Sequence, residues 1–140
     1  MRQILLFALL AASLALLSGC ALSKTKADTA ENVTDKAAYH KISAEEAYEM
    51  MASQEVVVVD VRTREEYDGG HIENAVLVPN ESIGSEMSEA LPDKEATLLI
   101  YCRSGRRSKD AAQKLLALGY QSVYDFGGVI DWPYELVKEG

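Results

Sequence analysis

The chain has 140 residues, which leaves room for one domain. It carries 22 acidic against 14 basic side chains, a formal charge of −8, so an extended phosphate backbone is not a partner it is built for and no nucleic acid is expected. Its two cysteines, Cys20 and Cys102, stand in unrelated contexts, which excludes both a C-x-x-C redox pair and a cysteine-based metal cluster.

The chain opens on Met1-Arg2-Gln3, followed over residues 4–17 by fourteen residues of apolar sequence interrupted only by Ser13. A membrane span needs about 20 such residues, whereas this length suits the core of a signal peptide. The run closes on Leu17-Ser18-Gly19-Cys20. That ending resembles the bacterial lipobox, in which cleavage precedes the cysteine and the cysteine is lipidated. The resemblance implies a lipoprotein signal peptide over residues 1–19 and a lipid anchor at Cys20 that holds the protein to a membrane. The protein would then sit in the cell envelope, facing the periplasm or the extracellular side. Residues 21–38 are rich in Lys, Thr, Ala, Asp and Glu without an apolar period. With Cys20 they read as a flexible tether over residues 20–38, with a root-mean-square reach of roughly 23 Å.

The folded domain is expected over residues 39–140. Residues 39–42 predict a short first strand, and Ser43-Ala44-Glu45-Glu46 has the Ser-x-x-Glu spacing of a capping box. The helix it opens places Ala47, Met50 and Met51 on one face, as core, and ends near Ser53. Residues 56–61 are a continuous run dominated by valine, the pattern of a parallel strand buried on both faces. Asp60 lies at its C-terminal end, the side on which open α/β sheets build their sites. Its expected role is to hold neighbouring backbone amides and shape the site, rather than to act as a general base. Thr63 and Glu66 form a second capping box, and the four-residue spacing of Arg62 and Glu66 predicts an ion pair. His71 has the chemistry to serve as base in a Cys/His pair. Residues 75–78 form the next strand. Ile83, Met87, Ala90 and Leu91 then recur at helical spacing and predict an amphipathic helix over residues 81–91.

The most informative stretch follows. An apolar run over residues 96–100 leads into Tyr101-Cys102-Arg103-Ser104-Gly105-Arg106-Arg107-Ser108, and a helical pattern begins at its far end and stops at Gly119. A thiol at a strand end, facing loop amides and a helix N-terminus, sits where anions bind and thiolate is favoured over thiol. Arg103, Arg106, Arg107 and Lys109 add positive charge to the same spot, which points to a small anionic substrate. Residues 123–126 form a last strand, Gly127-Gly128 lets the backbone turn close to the site, and residues 132–137 predict a final short helix. Strands alternating with helices give an α/β fold with about five strands in a mostly parallel sheet and helices on both faces.

Four motifs in this order carry a family resemblance. Cys102-Arg103-Ser104-Gly105-Arg106-Arg107-Ser108 is similar to the active-site loop of rhodanese domains in its C-x-x-G-x-R-S form. Asp60-Val61-Arg62, then Gly70-His71-Ile72-Glu73-Asn74-Ala75, then Gly127-Gly128-Val129-Ile130-Asp131-Trp132 match further pieces. Asn74 stands where many members have Gly, and Asn tolerates a left-handed backbone better than most residues. The resemblance implies a rhodanese-like fold and a sulfurtransferase that needs no cofactor and no metal. Cys102 would take sulfane sulfur from a small anionic donor such as thiosulfate, hold it as a persulfide and pass it to a thiol or to cyanide. Arg103, Ser104, Gly105, Arg106, Arg107 and Ser108 would bind the substrate, with Arg107 alternatively bracing the loop. Asp60, Arg62 and His71 would shape the site, His71 mainly as part of a turn. Phosphatases with a related loop use Cys-x5-Arg; here Arg107 follows Cys102 as Cys-x4-Arg, a smaller cradle that favours sulfur over phosphate or arsenate. Some rhodanese modules are non-catalytic and bind or sense a partner, but those typically lack the cysteine that this chain keeps.

Overall fold

The computed structural model describes residues 37–84 and 89–138. The signal-peptide reading, the Cys20 anchor and nearly all of the tether therefore lie outside the described residues, as do the last two of the chain.

Five strands, β1 (Ala38–Lys41), β2 (Val57–Asp60), β3 (Val76–Leu77), β4 (Thr97–Cys102) and β5 (Ser122–Gly128), pair in the order β1-β5-β4-β2-β3. Every ladder is parallel. The apolar strands expected from the sequence are therefore present, and β4, which ends at Cys102, occupies the centre. Alternation along β4 builds a core on each face of the sheet. Leu98, Ile100 and Cys102 point to the face covered by α3 (Arg106–Ala117), where they meet Ala111, Ala112 and Leu115. Leu99 and Tyr101 point to the other face, covered by α1 (Ala44–Ser53) and α2 (Arg64–Asp68), and pack with Ala47, Tyr67 and Phe126.

Both capping boxes form. Ser43 and Thr63 accept from the backbone amides of Glu46 and Glu66, whose carboxylates accept in return from the Ser43 and Thr63 amides. Asn74 has φ of 63°, the left-handed conformation expected of it, and Gly119 at φ of 96° follows the end of α3.

Two predicted helices are not found among the described residues. Between β3 and β4 there is a single 3₁₀ turn, Asn80–Ser82, and residues 89–90 form a turn; residues 85–88 lie outside the description. Ile83 and Leu91 are nonetheless buried, so the apolar spacing marked two anchor points under a connection and not one face of a helix. Residues 132–137 are not helical either. The turn comes earlier, as a 3₁₀ segment at Val129–Asp131, and the chain then runs to Val137, which exchanges backbone hydrogen bonds with His71 at 2.9 and 2.8 Å. Pro133 disfavours helical backbone at the residue before it, and Trp132 is accordingly extended, at φ −77° and ψ 113°. The antiparallel bridge then takes up the backbone groups of Val137.

Candidate active site at the end of the central strand

Cys102 is the last residue of β4, and Gly105 is the N-cap of α3, so only Arg103 and Ser104 separate strand from cap. Gly105 adopts φ of 96° and supplies no side-chain cap. The amides at the start of the helix are thereby left to another acceptor. That acceptor is the sulfur: the Gly105 N–H donates to Cys102 Sγ at 3.0 Å. Burial pushes the Cys102 thiol up, but the amides of Ser108, Gly105 and Ser104, with the Ser108 hydroxyl, hold it below its ordinary value on balance. Cys102 is 1% exposed, so the sulfur is covered by the loop and its neighbours.

The loop also lies flush on the end of β5. A register shift between Ile100 and Tyr101 makes Phe126 an extra residue in β5, and this brings Gly127 and Gly128 alongside Tyr101 and Cys102. A Cβ at Gly128 would overlap the carbonyl of Arg103 and the Cα of Ser104, so this position admits only glycine. The Arg103 carbonyl then accepts from the Ile130 amide at 3.2 Å.

The loop side chains divide by position. Arg103, Ser104 and Arg106 are exposed, and neither arginine makes a salt bridge among the described residues. Arg107 is committed elsewhere: its guanidinium donates two parallel bonds of 2.8 Å to the Glu66 carboxylate on α2. That fork holds Glu66 down to about 2 and ties the first turn of α3 to α2, the arrangement that the bracing reading of Arg107 expects. Ser108 is fully buried, and its amide and hydroxyl both help to hold the Cys102 thiol below its ordinary value. An open groove of about 820 Å³ flanks the loop at Ser104 and Gly105, with Lys41 and Lys109 on its walls.

Asp60 and Arg62 gather around the Tyr101 hydroxyl, next to Cys102 in the chain but on the other face of β4. Asp60 Oδ1 accepts from the Arg62 amide and Nε at 2.9 Å, and Oδ2 accepts from Arg62 Nη2 at 2.6 Å and the Tyr101 hydroxyl at 2.7 Å. The ion pair expected between Arg62 and Glu66 is thus replaced by two others. Arg62 precedes the N-cap of α2, so its side chain is not on the helix face where a four-residue spacing brings partners together, and it folds back to Asp60 and the Gly70 carbonyl. His71 donates from Nδ1 to the Tyr67 carbonyl at 2.9 Å and stacks on the Tyr67 ring at 3.6 Å, contacts that fit the turn role expected of it. Its nitrogen assignment follows from the carbonyl, which can only accept.

Sequence reasoning missed a buried carboxylate at the same end of the sheet. Asp125 in β5 is 1% exposed and is bonded to Ser108 and Gly127. The available signal was a charged residue placed within an otherwise apolar and aromatic strand, just ahead of two glycines.

Comparison with known proteins agrees with this fold. The rhodanese-like domain family model matches residues 43–133. A rhodanese-like domain protein from Staphylococcus aureus is 31% identical, with a TM-score of 0.64 over 72% of this chain and 99% of that structure. A thiosulfate sulfurtransferase from Pseudomonas aeruginosa is 26% identical, with a TM-score of 0.63 over 73% of this chain and 21% of the other. Among curated proteins, the tRNA uridine(34) hydroxylase of Yersinia pestis (strain Pestoides F) is 30% identical over 106 residues, 72% of this chain. The chain spans 30% of that relative's length.

Proposed function

This chain belongs to the rhodanese-like domain family, and we propose that it is a sulfurtransferase acting through a persulfide on Cys102. The observation that carries the reading is the convergence of α3 and loop amides on Cys102 Sγ, led by the Gly105 N–H at 3.0 Å. Those amides hold the thiol below its ordinary value and so favour the thiolate that the chemistry needs.

The thiolate attacks the outer sulfur of a donor such as thiosulfate. A new Sγ–S bond forms, the donor's S–S bond breaks, and its electron pair leaves with sulfite. The persulfide carries the negative charge one atom further out, where the loop amides and the exposed Arg103 and Arg106 balance it. A thiol or cyanide then attacks the outer sulfur, and the thiolate of Cys102 leaves unchanged for the next cycle. Arg107, Ser108 and the Asp60–Arg62–Tyr101 cluster keep the loop in shape. No residue of the site is called on to protonate a leaving group, which suits sulfite better than the alkoxide of a phosphate ester.

We further propose that the N-terminal segment is a lipoprotein signal and that Cys20 anchors the domain to a membrane, on the strength of Leu17-Ser18-Gly19-Cys20 following a short apolar run. With Cys20 acylated, Cys102 would lack an intramolecular disulfide partner on the oxidising side of that membrane.

Incubation of the purified protein with thiosulfate is expected to add about 32 Da, one sulfur atom, to its intact mass, with loss of the adduct on addition of cyanide and none in Cys102→Ser. A folded protein with a titratable Cys102 that gains no mass from thiosulfate or from polysulfide would overturn the reading.

A further inference from the structure

The Asp125 carboxylate takes no part in the reading above, yet two of its four partners, Ser108 and Gly127, lie at the loop and at the strand end beneath it. Oδ1 accepts from the Ser108 hydroxyl at 2.7 Å and the Gly127 amide at 2.9 Å, with Lys41 Nζ at 3.4 Å. Oδ2 accepts from the Tyr39 phenol at 2.8 Å. A carboxylate this buried is costly unless its oxygens are filled, and the two shortest bonds to Oδ1 come from the first turn of α3 and from the strand end on which the loop rests. Ser108 has one hydroxyl hydrogen and several acceptors in reach. The carbonyls of Gly105 and Gly127 lie at 3.1 and 3.2 Å, and the sulfur of Cys102 is close enough to feel the hydroxyl. A carboxylate binds such a donor more strongly than a neutral carbonyl, so Asp125 sets where the Ser108 side chain sits. The Ser108 amide, beside that of Gly105, also helps to hold the Cys102 thiol below its ordinary value. Fixing residue 108 therefore fixes one of the amides that act on the sulfur.

We propose that Asp125 is a positioning residue for Cys102, clamping Ser108 and the Gly127 amide together so that the first turn of α3 is held in register with the end of β5 and its amides converge on the sulfur. What the sulfur then does rests on the sulfurtransferase reading; how it is held does not. Besides Asp125 itself, the charged or titratable groups around this cluster are Tyr39 and Lys41 from β1, Arg107 from α3 and, along the groove that Asp125 lines, Glu45, Lys109 and Asp131.

The test compares the full chain with Asp125→Asn, Ser108→Ala and the double variant. The rate of iodoacetamide alkylation is followed against pH on the Cys102 peptide by mass spectrometry, beside thermal unfolding and charging by thiosulfate. Asn preserves shape but offers a neutral carbonyl no stronger than those of Gly105 and Gly127. Each single variant is expected to react roughly three- to tenfold more slowly below the wild-type inflection, with the inflection moved to higher pH. The double variant should be no worse than the more affected single one, because both changes break one connection. A wild-type alkylation profile in Ser108→Ala, or in Asp125→Asn whatever its melting temperature, would reduce Asp125 to a structural residue. If thiosulfate charges none of the proteins while the alkylation profiles still separate, the positioning role stands and the sulfur-transfer reading falls. If all are charged equally and the profiles coincide, the reverse holds.

Discussion

At Gly128 the site tolerates a hydrogen and nothing larger. A methyl group there would collide with the Arg103 carbonyl and the Ser104 Cα, both main-chain atoms, so no rotamer change relieves the overlap. Gly128→Ala is therefore expected to lift the loop off β5, abolish persulfide formation and cost more than about 2 kcal/mol in urea unfolding. Gly84, with nothing within 4 Å of the equivalent position, is the matching control, and Gly84→Ala should stay within about 0.5 kcal/mol of wild type. Wild-type persulfide formation in Gly128→Ala would mean that the loop reaches its geometry without the close crossing. The glycine pair was legible in the sequence as a turn near the site. Which of the two was indispensable was not, because the atom that excludes a side chain belongs to residue 103.

Between elements, the contact most closely tied to the site is the fork from Arg107 at the start of α3 to Glu66 in α2. Both side chains are mostly covered, at 19% and 28% exposed, and the geometry is bidentate, so the pair should contribute about 1 kcal/mol at neutral pH. Arg107 holds the Glu66 carboxyl down from its ordinary value near 4.5 to about 2. The contribution is thus complete above about pH 4.5, where the carboxylate is ionised in folded and unfolded chains alike, and is lost as pH falls toward 2. Glu66→Gln should lower stability at pH 7 by about that amount and flatten this part of the acid limb. Equal stability of variant and wild type at pH 7, measured by urea unfolding, would show that the fork has no net worth. Glu66 was assigned to its capping box from the sequence and makes that bond; the same carboxylate also takes Arg107, 41 residues away, which no local spacing could indicate.

Across the whole molecule, a body of net charge −8 presents a cation-bearing loop at the C-terminal end of its central strand. Arg103, Arg106 and Lys109 are exposed there, and the contrast directs small anions to one place. The proposed anchor would hold that site near a membrane surface. Protein extracted from membranes of the native host is expected to begin at an acylated Cys20, read as an intact mass lacking residues 1–19 and carrying lipid. A soluble protein with an unmodified Cys20 would remove the anchor while leaving the chemistry of Cys102 untouched.

The valine run of β2, the apolar approach to Cys102, both capping boxes and the left-handed turn at Asn74 depend on residues a few positions apart, so the sequence by itself determined a parallel α/β sheet with a cysteine at the end of a strand. Local chemistry is sufficient there because strand burial, helix capping and backbone handedness are read over a few neighbouring side chains. The pairing of buried charges was decided only in the tertiary structure. Asp60 meets Tyr101, Arg107 meets Glu66, Ser108 meets Asp125 and His71 bridges to Val137, all across 17 or more positions. A buried donor or acceptor takes whichever partner the packed fold brings within about 3 Å. Sequence distance carries no record of that choice.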